Sequence, residues 1–215
     1  MPDSSLQPIF EFLAGAFELP LPGEAAQFKM APYKRPTAAQ ALKLDITPRL
    51  SAVMVLVYAL NNAPHFILTR RPSYQGVHSN QVSLPGGKKE EEDADLEATA
   101  LRETCEEIGV PGDRIQVVGA LTQVFIPPSG FLVQPYVGIA QGELEFDPDP
   151  REVQSLIEVP IGQLMDDQLV KENTVKAMNG TVSLKAPYFD LLGNQVWGAT
   201  AMILSEFKHL LHRMN

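Results

Sequence analysis

One cysteine, Cys105, stands in 215 residues, so no disulfide can form within the chain and a reducing compartment is expected. Long apolar runs are also missing. The longest, residues 52–60, is too short to cross a bilayer as a helix, so no membrane partner is expected. There is no low-complexity tract and no repeat at solenoid or propeller spacing. Basic residues are few, with 17 Lys and Arg against 26 Asp and Glu and a formal charge of −9. Proteins that hold nucleic acid need Lys and Arg to displace counterions, so no nucleic-acid partner is expected. Met1-Pro2-Asp3-Ser4-Ser5 has no basic region ahead of its apolar residues, which argues against a secretory signal. A soluble, cytoplasmic protein is the expectation.

What is present is ordinary in amount and uneven in place. Hydrophobic residues make up 45% and charged residues 20%, enough for one domain with a sizeable core. Between Lys88 and Glu107, nine carboxylates meet three basic residues, so this window carries −6 of the net charge. The same window holds Leu96, Ala98, Ala100, Leu101 and Ile108. These need a core to pack against, so a folded acidic face is expected rather than a mobile tail.

Apolar spacing predicts a short amphipathic helix over residues 6–17. Prolines at 20, 22, 32 and 36 then predict an extended connector, and residues 1–48 are set apart from a main unit at 49–215. Residues 51–60 form a continuous apolar, β-branched strand, turned at Asn61-Asn62 into a hairpin partner at 65–70. A polar loop follows to Gly87, closing on a short strand at 81–84. Residues 93–108 are a helix capped by Asp93 and ended by Gly109. Strands are expected at 115–125, 131–140 and 152–159. A helical turn at 162–165, a hairpin about Asn179-Gly180 and a final helix at 199–212 complete the chain. The alternation predicts an α/β architecture, a mixed sheet between helices.

On the wheel of the 93–108 helix, Ala94, Ala98, Leu101, Cys105 and Ile108 share a stripe, with Glu103, Glu106 and Glu107 opposite. Cys105 is therefore expected in the core, a small hydrophobe rather than a nucleophile. Carboxylates at i, i+3 and i+4 repel one another unless a cation intervenes. Mg²⁺ takes oxygen ligands, commonly one or two carboxylates, and keeps water or phosphate oxygens in its other positions. Glu103 and Glu107 suit a shared ion, with Glu106 completing the group and Arg102 in reach of Glu106 at i+4. Alone, such a cluster is as well explained by a solvated acidic face.

The surrounding residues decide between the two. Gly86-Gly87 precedes the helix, which ends Arg102-Glu103-Thr104-Cys105-Glu106-Glu107-Ile108-Gly109-Val110. This resembles the Nudix signature G-x5-E-x7-R-E-U-x-E-E-x-G-U (U bulky and apolar), with Thr104 at the first apolar position of its second half. Counted back from Arg102, the signature glycine falls on Lys88 and its first glutamate on Ala94. A one-residue insertion after Gly87 restores the match and leaves Asp93 or Glu92 to supply that acid.

A longer box after Pro-Gly-Gly is a feature of the coenzyme A pyrophosphatase branch. Ile67-Leu68-Thr69-Arg70-Arg71-Pro72 and Leu84-Pro85-Gly86-Gly87 resemble its accessory motif, with Gly76, Asn80 and Leu84 departing from it. Phe131-Leu132-Val133-Gln134-Pro135-Tyr136-Val137-Gly138 and Val196-Trp197-Gly198-Ala199-Thr200-Ala201 are similar to the same branch. The resemblance spans roughly residues 49–211 and implies a Nudix-type α/β/α sandwich. It implies Mg²⁺- or Mn²⁺-dependent cleavage of a small-molecule nucleoside diphosphate derivative, here coenzyme A or an acyl-CoA. Nucleotide sugars, ADP-ribose and dinucleoside polyphosphates are the alternative substrates, and a non-catalytic binding module the alternative class.

The implied metal ligands are Glu103, Glu106 and Glu107, and the implied catalytic carboxylates Glu103, Glu106 and Glu152. Arg70, Arg71, Gly86 and Gly87 would meet substrate, the Gly87 carbonyl offering a further oxygen. Glu152 is equally well a surface charge. His78 is expected to be polar surface, and Tyr188 and Trp197 core aromatics. The oligomeric state is left open.

Overall fold

The computed structural model describes residues 7–33, 36–43, 47–72, 81–140, 144–177 and 182–214. Its frame grows from the apolar run at the start of the main unit. Strand β1 (Arg49–Leu60) pairs antiparallel with β2 (Ala63–Arg70) across Asn61-Asn62, both with positive φ. Two such residues in succession make the turn whose twist matches a hairpin. Side chains alternate along β1. Val55 and Val57 enter the larger core, while Met54, Leu56 and Tyr58 enter a second one on the other face.

Around this hairpin the described residues build an eight-stranded mixed sheet. Strand β7 (Phe131–Ala140) runs parallel to β1 and is flanked by β5 (Ile115–Ala120) and β6 (Val124–Ile126). Strand β8 (Ser155–Pro160) and the short β3 (Val82–Ser83) pair with β2, and β4 (Gly86–Lys88) pairs with β1. Helix α4 (Leu96–Ile108) covers the Met54 face, contributing Ala100 and Ile108 to its core. On the Val55 face lie α1 (Gln7–Ala16) and α6 (Gly198–Leu211). A three-stranded sheet of β9 (Val170–Ala177), β10 (Val182–Leu191) and β11 (Asn194–Trp197) packs on that side through Phe189, Leu191 and Val196. The architecture is an α/β/α sandwich.

Several expectations need correction. The connector carries α2 (Gly23–Gln27), a 3₁₀ turn at Phe28–Met30 and α3 (Ala38–Ala41). Proline does not forbid this. Pro22 sits just ahead of the first turn of α2, where its missing N–H costs nothing, and Thr37 with Gln40 closes a capping box on α3. Ile9, Leu13, Ala16 and Met30 join the larger core, so α1 and the 3₁₀ turn pack on the main unit.

The strand expected at 115–125 breaks after Ala120 because Thr122 turns to Glu206 of α6, a fully buried carboxylate. Glu206 accepts hydrogen bonds from the Thr122 N–H and hydroxyl, the Gly23 N–H and the Gln27 amide. The helix cap is Asp95, not Asp93, and strand β8 begins at Ser155, after Glu152. The helical turn α5 (Ile161–Met165) lies where expected. The hairpin strands β9 and β10 are longer than expected, and the turn proposed at Asn179-Gly180 falls outside the described residues.

Candidate active site

The wheel assignment of α4 is rotated in the structure. Thr99, Ala100, Thr104, Glu107 and Ile108 are the buried residues, while Ala94 and Cys105 are exposed. Small apolar side chains carried the sequence reading, but burying alanine or cysteine gains little area. The helix instead turns its glutamates toward β4. Asp95 caps its first turn by accepting from the Ala98 N–H at 2.8 Å, and Gly109 ends it with φ 76°.

Gly86-Gly87 makes this approach possible. A Cβ at Gly87 would lie 2.4 Å from one Glu103 carboxylate oxygen, and one at Gly86 would lie 2.3 Å from the Ala52 carbonyl oxygen. Gly86 also holds φ +148°, closed to most side chains. Its N–H donates to Glu107 at 3.2 Å. Glu107 is 2% exposed and has one guanidinium near it, Arg71 at 3.6 Å. Burial pushes its carboxyl up to about 7; Arg71 and the Gly86 N–H oppose the rise, while Glu103 and Glu152 add to it. Burial also raises Glu103, against the pull of Arg102, with Glu106 and Glu152 raising it further.

Glu152 enters this field from a turn. The last carbonyls of α4 lack helical partners, and the N–H groups of Asp147 and Asp149 donate to Ile108 and Glu107 there, at 3.1 Å each. The Glu152 and Val153 N–H groups return to the Asp149 carbonyl, and the Gln154 N–H donates to the Arg70 carbonyl. The loop is thus clamped between α4 and the end of β2.

Arg102 orders the other side. It donates to Asp93 at 2.9 and 3.0 Å, to Glu106 at 2.8 Å, to Glu103 at 3.1 Å and to the Lys88 carbonyl at 3.1 Å. Asp93 is buried and also accepts from the Thr99 hydroxyl and the Glu90 N–H. Its hydrogen bonds from Arg102 hold its carboxyl well below the usual range. Between the two acids left open by the signature, Asp93 is the one that reaches the arginine. It lies six residues after Gly87, as the signature acid does, so the extra residue falls between Asp93 and Arg102.

The structure therefore brings Glu103, Glu107, Gly86, Gly87 and Arg71 together, with Glu152 near enough to act on both glutamates. Glu106 lies on the exposed side, held by Arg102. Arg70 points elsewhere, its guanidinium on Asn194 of β11. Tyr188 and Trp197 are half-buried and pair across β10 and β11. His78, Gly76 and Asn80 lie outside the described residues. What the sequence reading missed is the loop at 147–153, whose only sequence trace is the Asp-Pro-Asp-Pro turn ahead of Glu152.

The donor set fits a hard divalent cation. Two glutamates, one almost fully buried, lie beside each other, and burial raises both, with neighbouring carboxylates adding to the rise. Among the described residues, no three acidic, histidine or cysteine groups gather tightly enough to enclose an ion unaided.

Comparison with known proteins agrees with this geometry. The family model described as the NUDIX domain matches residues 48–177. The chain is 31% identical over 170 residues to the protein named uncharacterized Nudix hydrolase NudL of Yersinia pestis, covering 79% of this chain and 81% of that one. It is 33% identical over 121 residues to the NudL of an Enterobacter species, a match spanning 62% of that relative's length. The structure of RenU, a Nudix hydrolase from M. smegmatis, superposes with a TM-score of 0.53 at 17% identity over 78% of this chain and 88% of that one, a likeness of fold. The chain belongs to the Nudix family, and its class is that of pyrophosphohydrolases, enzymes that generally use divalent metal ions. Among the described residues no helix is long and apolar enough to cross a membrane.

Proposed function

We propose that the protein cleaves the pyrophosphate linkage of coenzyme A or an acyl-CoA, giving 4′-phosphopantetheine and adenosine 3′,5′-bisphosphate, with Mg²⁺ or Mn²⁺ at Glu103 and Glu107. The observation that carries the chemistry is the pair of desolvated glutamates packed onto Gly86-Gly87 with Arg71 alongside. The ion, when bound, supplies Lewis acidity to the diphosphate and lowers the pKa of bound water. Glu103 and Glu107 hold it, and Glu106, kept close by Arg102, completes the group.

Arg71 at the mouth of the site receives a phosphate oxygen. In the reaction a water oxygen bonds to phosphorus, the bridging P–O bond breaks, and the leaving phosphate keeps the electron pair. The water proton passes to a carboxylate, the candidates being Glu103, Glu106 and Glu152. Desolvation raises the basicity of Glu103. Arg70, at the end of β2, is engaged with Asn194 of β11 and turned away from the glutamates.

The coenzyme A reading rests on the run Ile67 to Arg71, along and just after β2, and on Leu84-Pro85-Gly86-Gly87, from the end of β3 into β4. Gly76 and Asn80, where the motif has arginine and glycine, favour a second reading, hydrolysis of a nucleotide sugar, ADP-ribose or dinucleoside polyphosphate. Incubation with Mg²⁺ and each of these compounds, with products separated by mass, distinguishes the two. Selective release of 4′-phosphopantetheine is expected. Cleavage confined to another diphosphate would replace the substrate, and silence toward all of them would favour a binding module.

A further inference from the structure

The sheet separates the glutamates from a second cavity, of about 400 Å³, on the α6 side. It is an open pocket lined by Lys29 and Met30, Asp167 and Val170, Phe189 of β10 and the last turns of α6. Nearly all of these lie outside the stretch matched by the family model.

Lys208 lines this cavity and is only 3% exposed. Its Nζ is shielded from solvent and meets the Asp167 carboxylate at 2.8 Å, off the axis of a hydrogen bond. Asp167 is itself 85% exposed, so its charge is shared with water. A desolvated ammonium whose partners are one off-axis carboxylate and the ring of Phe189, 5.7 Å away at its centroid, is costly to keep. An incoming anion would relieve that cost.

Three more basic groups converge on the same space. Lys29 Nζ lies 2.7 Å from His209 Nε2, and His209 Nδ1 faces the Ser205 carbonyl oxygen at 2.7 Å. A carbonyl can only accept, so Nδ1 carries the proton and Nε2 accepts from Lys29. The ring of His212 stands 6.1 Å from that of His209. Histidines in the last turn of a helix can bond its terminal carbonyls, which accounts for His209 and His212. It accounts neither for the burial of Lys208 nor for Lys29, which arrives from a different element. Met30, Val170 and Phe189 supply apolar wall.

From this geometry we propose that the cavity binds an organic phosphate monoester. The phosphate sits between Lys208 and the Lys29–His209 pair, and the carbon part lies against Met30 and Phe189. The volume falls at the small end of known ligand pockets, about 300–1,000 Å³, which restricts the occupant to a small metabolite-sized anion. The site is separate from the glutamates and does not depend on the substrate assignment above.

Titration calorimetry of the full chain with phenyl phosphate in EDTA tests this, since the probe has no pyrophosphate bond to cleave. Saturable one-to-one binding is expected, at least tenfold tighter than for inorganic phosphate. Lys208→Met and Lys29→Met should each weaken it at least tenfold, and Glu107→Gln should leave it unchanged. Lys29 is exposed, so its variant decides the matter if Lys208→Met does not fold. No saturable binding, equal affinity for inorganic phosphate, or weakening by Glu107→Gln but not by Lys29→Met would overturn the proposal.

Discussion

Glu107 shows at the scale of one residue how the site and its stability oppose each other. Its carboxyl sits near 7 in the folded chain and near 4.3 when unfolded. Between those values the folded chain holds a proton that the unfolded chain has released, so metal-free stability falls as pH rises through that window and levels off above about 7. Urea unfolding in EDTA should show this loss, on the order of 3–4 kcal/mol, and Glu107→Gln should flatten it. Asp93 behaves in the opposite sense. Arg102 lowers its folded pKa, so its contribution is complete above the unfolded value and fades as pH falls below about 4. Asp93→Asn should cost about 1–3 kcal/mol at pH 7 by thermal or urea melting. Cys105, exposed on α4, should react with one equivalent of a thiol reagent in the native protein. Its place was not legible from the wheel, because hydrophobic periodicity tracks apolar burial and this helix buries a carboxylate and two threonines.

At the scale of elements, legibility followed local physics. The hairpin at Asn61-Asn62, the end of α4 at Gly109 and the final helix could all be read, since turn chemistry and apolar period each suffice for them. The loop at 147–153 could not, because it is held by the free carbonyls of α4, partners distant in sequence. The start of β8 and the break in β5 were misplaced for the same reason, Thr122 being drawn off by Glu206. The Gly86-Gly87 pair was legible as a motif, and the structure supplies its cause. Gly87→Ala should fold but displace Glu103, lowering kcat at least tenfold in a steady-state assay with Mg²⁺. Gly86→Ala meets backbone rather than a movable side chain and should cost more than about 2 kcal/mol, seen as a lower Tm.

Across the whole molecule, residues 7–30 belong with the rest. Ile9, Leu13 and Met30 fill the larger core, while Gly23 and Gln27 supply donors to the buried Glu206. A chain starting at residue 48 would expose that core and leave Glu206 with Thr122 alone among these donors. It should be insoluble or melt far below the full chain, whereas an unchanged Tm would show that the segment is an appendage. The division of labour across the sheet, glutamates on the α4 side and a basic cavity on the α6 side, follows from the alternation of side chains along β1.

Glu103 and Glu107 are proposed as the divalent-ion site of this pyrophosphohydrolase. The most direct test is the rate of coenzyme A cleavage at saturating Mg²⁺ in the wild type and in Glu107→Gln, with melting followed on the same samples. The account predicts a fall of at least a hundredfold in rate with the fold intact. Turnover near the wild-type rate in that variant would contradict it.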